Sequence, residues 1–256
     1  MKEQTQHMQE DTLIYGKNAV AELLKSGKEV DTIWLQDTMQ PAQASYYIAL
    51  AKQTGAVVKR VHAAKLRAMC ATDAHQGVAV RAAQITYLSL EALMQTAQQQ
   101  KQPPFFLLCD GIEDPHNLGA LIRSAKLCGV QGVIIPKRSS ACVTSIVMKS
   151  SAGAAASLPI ARVTNLGQAV RTLKKQGVFV YCADMHGAPL EKQDLTGPCA
   201  LVVGSEGKGV SPLIQKLCDT SIQLAMHQDC SGVDSFNVSV AGGIILYEIM
   251  RQRAKI

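Results

Sequence analysis

A stretch near the C-terminus places three small hydrogen-bonding side chains among larger or apolar neighbours. Residues 233–241 read Val-Asp-Ser-Phe-Asn-Val-Ser-Val-Ala, so that Ser235, Asn237 and Ser239 recur at every second position. A polar group that is buried without a partner costs about 1–3 kcal/mol. We therefore expect these side chains to find partners in the fold or in a bound ligand. Ser235 or Asn237 could also cap a following helix, since both residue types are favoured at helix N-termini.

A glycine-rich segment precedes this stretch. Residues 201–210 read Leu-Val-Val-Gly-Ser-Glu-Gly-Lys-Gly-Val. Glycines directly after an apolar strand allow the backbone to approach a ligand closely, although such a turn is also typical of a tight connection. The glycine spacing differs from the dinucleotide fingerprint, and the Lys-Ser/Thr ending of a P-loop is absent. Glu206 lies inside this loop, where its carboxylate could accept hydrogen bonds from a ligand ammonium or hydroxyl.

A third polar segment lies near the middle of the chain. Residues 110–125 read DGIEDPHNLGALIRSA, which predicts a turn through Asp-Pro and a helix that begins near Asn117. Asn117 could serve simply as the N-cap of this helix. Arg123 points away from the apolar face that includes Leu118 and Leu121, so a solvated position is the ordinary interpretation.

The elements around these segments alternate between apolar strands and helices. The strands are predicted over Phe105–Cys109, Val133–Ile135, Val178–Cys182 and Ala200–Val203, and the helices over Leu118–Cys128, Asn165–Gln176 and Val238–Arg251. Such alternation indicates an α/β fold with a mostly parallel sheet that is covered on both faces. Ligands bind such sheets beyond the carboxyl ends of the strands. The loops after Cys109, Val203 and Leu224 are therefore the predicted places for chemistry.

The chain of 256 residues is long enough for one or two domains. Residues 95–104 are rich in glutamine and end in Pro-Pro, which predicts an interdomain linker over residues 86–104. Residues 11–85 are expected to form a small α/β domain, and residues 105–256 a larger one. Residues 1–10 are expected to be a flexible tail. In the small domain, helices are predicted over Ala19–Leu24 and Ala42–Gln53, and strands over Thr32–Leu35, Ala56–Arg60 and Val78–Arg81.

Composition narrows the class of protein. A hydrophobic share of 47% supports a folded core rather than disorder. The net charge of +6 is compatible with a nucleic-acid partner, although the basic residues are spread along the chain. The eight cysteines contain no Cys-x-x-Cys pair, which favours reduced core thiols and argues against a zinc site. The absence of a membrane-spanning run or secretory signal predicts a cytoplasmic protein that does not bind membranes.

Taken together, the three segments resemble the conserved motifs of the SpoU/TrmH family of SPOUT RNA methyltransferases, and the likeness extends over most of the chain. Residues 14–82 open with Ile-Tyr-Gly-Lys-Asn-Ala-Val and close with His-Gln-Gly-Val, and they are similar to the substrate-binding domain of the ribosomal-RNA guanosine branch. The motif positions are matched by Asn117 and Arg123 in motif 1, by Gly204, Glu206 and Gly209 in motif 2, and by Ser235, Asn237, Val238 and Ser239 in motif 3.

The resemblance implies an enzyme that uses S-adenosyl-L-methionine to methylate the 2′-hydroxyl of a ribose, with a guanosine of ribosomal RNA as the expected target. It also implies a deep trefoil knot in the C-terminal domain, a homodimer formed through that domain, and no metal. By position, the cofactor-binding residues are Gly204, Leu224 and Phe236, and the catalytic residues are Arg123, Asn117, Glu206, Ser235 and Asn237. A guanidinium stays protonated in proteins, so a role for Arg123 in orienting the hydroxyl and a nearby phosphate is easier to defend than a role as base.

The sequence also departs from the family pattern. The family's Ile-Pro-Met before motif 3 reads Leu224-Ala225-Met226, the loop 227–233 is longer than usual, and Phe236 stands where leucine is typical. Three alternatives stay open at this stage. They are a transfer-RNA enzyme of the same family, a non-catalytic RNA-binding protein on this fold, and a Rossmann-type nucleotide-dependent enzyme. The last lacks the expected Gly-x-Gly-x-x-Gly after its first strand.

Overall fold

The computed structural model describes residues 13–227 and 234–255. The expected N-terminal tail and residues 228–233 of the long loop lie outside the described residues. The chain divides after Thr86 into two compact units.

The described part of the N-terminal unit is a four-stranded mixed sheet with three helices. Its sheet order is β1-β4-β2-β3, in which β2 and β3 are parallel and β4 runs antiparallel to both of its neighbours. Each helix and strand expected from the sequence is present, while β1 and α3 are additional. The elements are β1 (Leu13–Tyr15), α1 (Lys17–Lys25), β2 (Val30–Gln36), α2 (Pro41–Thr54), β3 (Val57–Val61), α3 (Ala63–Cys70) and β4 (Val78–Ala82).

The C-terminal unit contains a six-stranded sheet in which every adjacent pair is parallel. The order is β10-β8-β9-β5-β6-β7, and helices cover the sheet. This arrangement confirms the predicted α/β class with a parallel sheet. The elements are α4 (Leu90–Gln98), β5 (Phe105–Asp110), α5 (Pro115–Leu127), β6 (Gly132–Pro136), α6 (Ser145–Ser150), β7 (Ile160–Val163), α7 (Leu166–Lys175), β8 (Phe179–Pro189), β9 (Cys199–Gly204), α8 (Pro212–Leu217), β10 (Thr220–Gln223) and α9 (Val238–Ala254).

The segment expected to be a linker contains a helix, α4. Within residues 86–104, α4 is capped by Ser89, whose side chain accepts a hydrogen bond from the Ala92 amide at 3.1 Å. Four apolar side chains of α4 are buried in the core of the C-terminal unit, and their spacing follows the helical period. The glutamines that suggested a linker occupy the solvent side of this helix or follow it. The buried residues are Leu90, Leu93, Met94 and Ala97.

Helix α9 packs against α5 near its start and against the beginning of β5 near its end. Near its start, a methyl group on Gly242 would come within 2.5 Å of the Leu121 side chain, so glycine allows α9 to cross α5 closely. Near its end, the guanidinium of Arg253 lies 4.6 Å from the ring centre of Phe105 and donates to the Pro103 carbonyl at 3.0 Å. Gly242 and Gly243 therefore allow α9 to pack closely against α5.

The described residues allow three observations on their cysteines, on metal-ligating side chains and on helix length. None of their cysteines forms a disulfide, and most are buried. They contain no cluster of three or more His, Cys, Asp or Glu side chains that could hold a metal ion. No helix in the described ranges combines the length and apolar character needed to cross a bilayer.

Candidate active site

A cleft of about 740 Å³ opens at the carboxyl edge of the parallel sheet in the C-terminal unit. Its walls come from the ends of β8, β9 and β10, from the start of α8, and from the segment that leads into α9. This is the edge where strand ends meet and where ligands bind such sheets. Six of the eight site residues expected from the sequence line this cleft, namely Gly204, Leu224, Phe236, Glu206, Ser235 and Asn237.

The glycine-rich segment forms a tight turn at the mouth of the cleft. The Ser205 amide donates to the Gly209 carbonyl at 3.0 Å, and the Gly209 amide donates back to the Ser205 carbonyl at 2.9 Å. Gly207 and Gly209 have φ values of 80° and 63°, a region that glycine enters without steric cost. The turn leaves Glu206 at its exposed tip, where the carboxylate faces the start of α9.

Asn237 connects all three polar segments. Its side-chain oxygen caps α9 by accepting from the Ser239 amide at 2.9 Å. Its amide group donates to the Asn117 side-chain oxygen at 3.1 Å and to the Glu206 carboxylate. Because the oxygen makes the cap and the nitrogen makes the contacts to Asn117 and Glu206, Asn237 both caps α9 and joins the three segments. Ser235 lines the cleft but does not cap the helix.

Asn117 does not cap α5, although its residue type is common at helix N-termini. The N-cap is Asp114, whose side chain accepts from the His116 amide at 3.0 Å. The helix thus begins earlier than expected, and Asn117 lies inside it with only 8% of its surface exposed. Its oxygen meets Asn237 instead of its own backbone, because the cap at Asp114 leaves that oxygen available.

Apolar side chains form one wall of the cleft. Val203, Ile222 and Leu224 contribute from the strand ends, and Phe236 faces them from the segment before α9. Phe236 lines the cleft and is 43% exposed, so its ring is accessible to a ligand. An apolar wall with a partly exposed ring can cover the planar ring of a ligand.

Arg123 is placed apart from the other candidates. It lies on the exposed face of α5 and is not among the residues that line the cleft. The adjacent Ser124 packs against α9 at Gly243, where a methyl group would meet its hydroxyl at 3.4 Å. Within one chain, the structure therefore brings together Asn117, Glu206 and Asn237 but leaves Arg123 on the outer surface.

Strand β8 supplies a part of the cleft that was not predicted from the sequence. Asp184 and Met185 line the cleft from this strand, and Gln215 lines it from α8. Val178–Cys182 had been recognised as a parallel strand, so the same carboxyl-end argument pointed to the residues directly after it. Asp184 follows that predicted strand by two positions and was the available signal.

The thiol of Cys109, directly before residues 110–125, is buried and has a raised pKa. Cys109 ends the buried part of β5, and burial together with the neighbouring charge of Asp110 raises the pKa of its thiol to about 12. A thiolate is the nucleophilic form of cysteine, and this one is suppressed at neutral pH. Asp110 serves the fold instead, because its carboxylate accepts from the Ser211 amide at 2.8 Å at the start of α8.

Comparison with protein families gives two matches that together span most of the chain. Residues 104–247 match the model of the SpoU rRNA Methylase family. The chain belongs to the SpoU/TrmH family. Residues 13–88 match a second model, described as RNA 2′-O ribose methyltransferase substrate binding. The resemblance that the motifs indicated is thereby confirmed.

Individual relatives agree with this placement. A Bacillus subtilis protein assigned to the TrmH family of tRNA/rRNA methyltransferases is 39% identical over 246 residues, which cover 96% of this chain and 97% of the relative. A related Staphylococcus haemolyticus protein with the same family description is 37% identical over 249 residues, covering 96% of this chain and 98% of the relative.

Solved structures show the same fold. The SpoU methyltransferase AviRb from Streptomyces viridochromogenes, in complex with AdoMet, superposes with a TM-score of 0.60 at 23% identity, covering 95% of this chain and 91% of that one. An AdoMet-bound rRNA methyltransferase from Sinorhizobium meliloti gives a TM-score of 0.58 at 23% identity, covering 93% and 86%. The A. aeolicus TrmH/SpoU tRNA modifying enzyme gives 0.52 at 29% identity, covering 65% and 83%.

Proposed function

We propose that this protein transfers a methyl group from S-adenosyl-L-methionine to the 2′-hydroxyl of a ribose, with a guanosine of ribosomal RNA as the target. One observation carries the proposal. A single amide side chain, Asn237, is hydrogen-bonded to Asn117 and to Glu206, so that residues from three separate motifs meet at the mouth of one cleft. A protein that only bound RNA would have no need of this arrangement beside a cofactor-sized cleft.

The cleft fits the proposed cofactor. Its volume of about 740 Å³ lies within the range of ordinary small-molecule sites. Leu224 and Phe236 offer an apolar surface for an adenine, and Gly204 exposes backbone next to them. When bound, the cofactor supplies a methyl group already activated on a sulfonium. The remaining demand on the protein is to align the acceptor hydroxyl in line with that methyl.

The hydrogen-bonded residues suit that demand. The amide of Asn237 has a fixed orientation because its oxygen caps α9 while its nitrogen donates to Asn117 and Glu206. Glu206 retains acceptor capacity for a ribose hydroxyl, since a carboxylate has about four lone-pair sites. The hydroxyl of Ser235 lines the same cleft and can accept or donate there. These groups would hold the acceptor ribose and polarise its hydroxyl.

A homodimer formed through the C-terminal unit would place the exposed Arg123 beside the second copy. Helix α9 exposes Val240, Ile244 and Tyr247 at 48%, 41% and 55%, and their spacing places them on one face. We call this face the α9 stripe. Arg123 lies on the exposed side of α5, which packs directly against α9. A second copy that covers the α9 stripe would therefore lie close to Arg123. We also propose that the C-terminal unit forms the deep trefoil knot that the family resemblance implies.

The RNA target rests on the N-terminal unit. Residues 13–88 match a substrate-binding model of RNA 2′-O ribose methyltransferases, and residues 14–82 resemble the ribosomal-RNA guanosine branch. The second candidate is a transfer-RNA enzyme of the same family, which is favoured by relatives whose description names both RNA classes. Mapping of 2′-O-methyl groups in RNA from cells that lack the gene would separate the two. A loss confined to transfer RNA would refute the ribosomal target.

The catalytic proposal is tested by a pair of matched substitutions. Asn237→Asp keeps the capping oxygen but replaces the amide donors with a carboxylate that faces Glu206. We expect transfer of labelled methyl groups to RNA to fall by at least about 100-fold, as when one preorganised donor is removed from an active site. Asn165→Asp is the control, because Asn165 caps α7 in the same way, accepting from the Gln168 amide at 2.9 Å. Equal rates in the two variants would contradict the assignment.

A further inference from the structure

Strand β8 contains a pronounced irregularity beside the cleft. Ser221 of β10 pairs with Cys182, whereas the next residue, Ile222, pairs with Ala188, so residues 183–187 bulge out of the ladder. Gly187 closes the bulge, because a methyl group there would lie 2.5 Å from the Ile222 nitrogen. Bulges re-aim side chains and recur next to active sites. This one carries Asp184 into the wall of the cleft.

The carboxylate of Asp184 is held by two neutral donors. Its Oδ1 accepts from the His186 amide within the bulge at 2.8 Å. Its Oδ2 accepts from the side-chain amide of Gln215, which also lines the cleft. Both donors fix the orientation of the group without neutralising its charge. Since an ionised carboxylate accepts about four hydrogen bonds, each oxygen keeps capacity for a further donor.

We infer that Asp184 binds the ribose hydroxyls of S-adenosyl-L-methionine. This inference rests on the proposed function and extends it to a residue outside the family motifs. The two oxygens of an oriented carboxylate lie side by side, and the 2′- and 3′-hydroxyls are paired donors on adjacent carbons of the cofactor. Each oxygen then accepts one hydroxyl, and charge-assisted bonds of this kind are stronger than neutral ones.

The ribose is a better partner than the cofactor's ammonium group. An ammonium is a compact charge that is satisfied by one oxygen, so it does not require both oxygens to be held in a fixed direction. The bulge and Gln215 fix both oxygens of Asp184 at once. Gln215 thereby acts as a positioning residue, and Asp184 as the group that touches the cofactor.

The test uses calorimetry with S-adenosylhomocysteine, its 2′-deoxy analogue and its deaminated analogue. Asp184→Asn should weaken S-adenosylhomocysteine binding about 10- to 100-fold, which corresponds to the loss of hydrogen bonds to a charged group. The same substitution should weaken binding of the 2′-deoxy analogue much less. It should weaken binding of the deaminated analogue by the same factor as binding of S-adenosylhomocysteine. Asp194→Asn is the control, because Asp194 accepts from the Thr196 amide at 3.0 Å in an exposed turn away from the cleft.

Several outcomes would overturn the inference. One is an Asp184→Asn variant that binds S-adenosylhomocysteine with wild-type affinity. Another is an equal loss of affinity for S-adenosylhomocysteine and for its 2′-deoxy analogue in this variant. If Asp184→Asn does not weaken binding of the deaminated analogue, Asp184 contacts the ammonium group of the cofactor instead. If Asp184→Asn does not fold, the unmodified protein still decides, because removal of the 2′-hydroxyl must then weaken binding by a similar factor. Failure of the wild-type chain to bind S-adenosylhomocysteine would refute the proposed function itself.

Discussion

Substitution of alanine for Gly204 gives a direct test of how the glycine-rich turn builds the cleft. Gly204 ends β9, and the turn folds back so tightly that its last residues lie against it. A methyl group on Gly204 would approach the carbonyl carbon of Gly209 and the nitrogen of Val210 closer than 3.0 Å, a distance that real Cβ atoms essentially never show. These are backbone atoms, so no side-chain rotation can relieve the overlap.

The expected loss of affinity in Gly204→Ala depends on which backbone segment must move to relieve the overlap. The Ser205–Gly209 turn must shift away from β9, which carries Glu206 away from Asn237 and widens the cleft. Overpacking of this kind typically costs about 1–3 kcal/mol. If about 2 kcal/mol of this cost falls on the ligand-binding conformation, the affinity for S-adenosylhomocysteine should fall roughly 30-fold. Methyl transfer should fall further, because the contact between Glu206 and Asn237 is lost as well.

Calorimetry and thermal unfolding should be measured together on two variants. The control is Gly197→Ala, because a methyl group on Gly197 meets no atom within 4 Å and this glycine does not adopt a positive φ. We expect Gly197→Ala to bind S-adenosylhomocysteine like the wild type and to be neutral or slightly more stable, since alanine restricts the unfolded chain. If Gly204→Ala matched Gly197→Ala in both affinity and stability, the role assigned to the turn would be refuted.

Three further predictions concern other parts of the molecule. Ile244→Asp places a charge in the α9 stripe and should shift the protein from dimer to monomer in sedimentation analysis; a wild-type protein that is already monomeric would contradict the proposed dimer. Cys109, with its pKa raised to about 12, should resist alkylation at pH 8 in the native protein and react after unfolding, as mass spectrometry can establish. Hydrogen bonds from Arg251 and Gln252 lower the pKa of Glu248 to about 2. The stability that Glu248 contributes is therefore present above its unfolded pKa of about 4.3 and is lost as the pH falls towards 2, so that Glu248→Gln should flatten the acid limb of the thermal stability profile.

The four strands and three helices predicted for the C-terminal unit could be read from the sequence because their signals are local. Apolar runs such as Phe105–Cys109 and Ala200–Val203 are the centres of observed strands β5 and β9. Helix α4 was not predicted, because it runs into the glutamine-rich residues 95–104, whose composition resembles a linker. The period of its apolar residues was the better signal, since burial on one face is what stabilises such a helix.

Capping could not be assigned from residue type alone. Asp114, Asn117, Ser235 and Asn237 are all suitable N-caps, and the residue that serves depends on where each helix actually begins. The structure selects Asp114 for α5 and Asn237 for α9. That choice leaves Asn117 inside its helix, with its side chain directed at another element.

By itself, the sequence determined the parallel α/β class, the glycine-rich turn and the polar residues that can carry chemistry, because periodicity and residue type act over a few neighbouring positions. Only the tertiary structure decided which of these residues meet. Asn237 contacts Asn117 across 120 positions of sequence and Glu206 across 31. It also placed Arg123 outside the cleft and Asp184 within it. Such pairings depend on the order and register of the strands, which bring distant strand ends to one edge of the sheet and which no local pattern encodes.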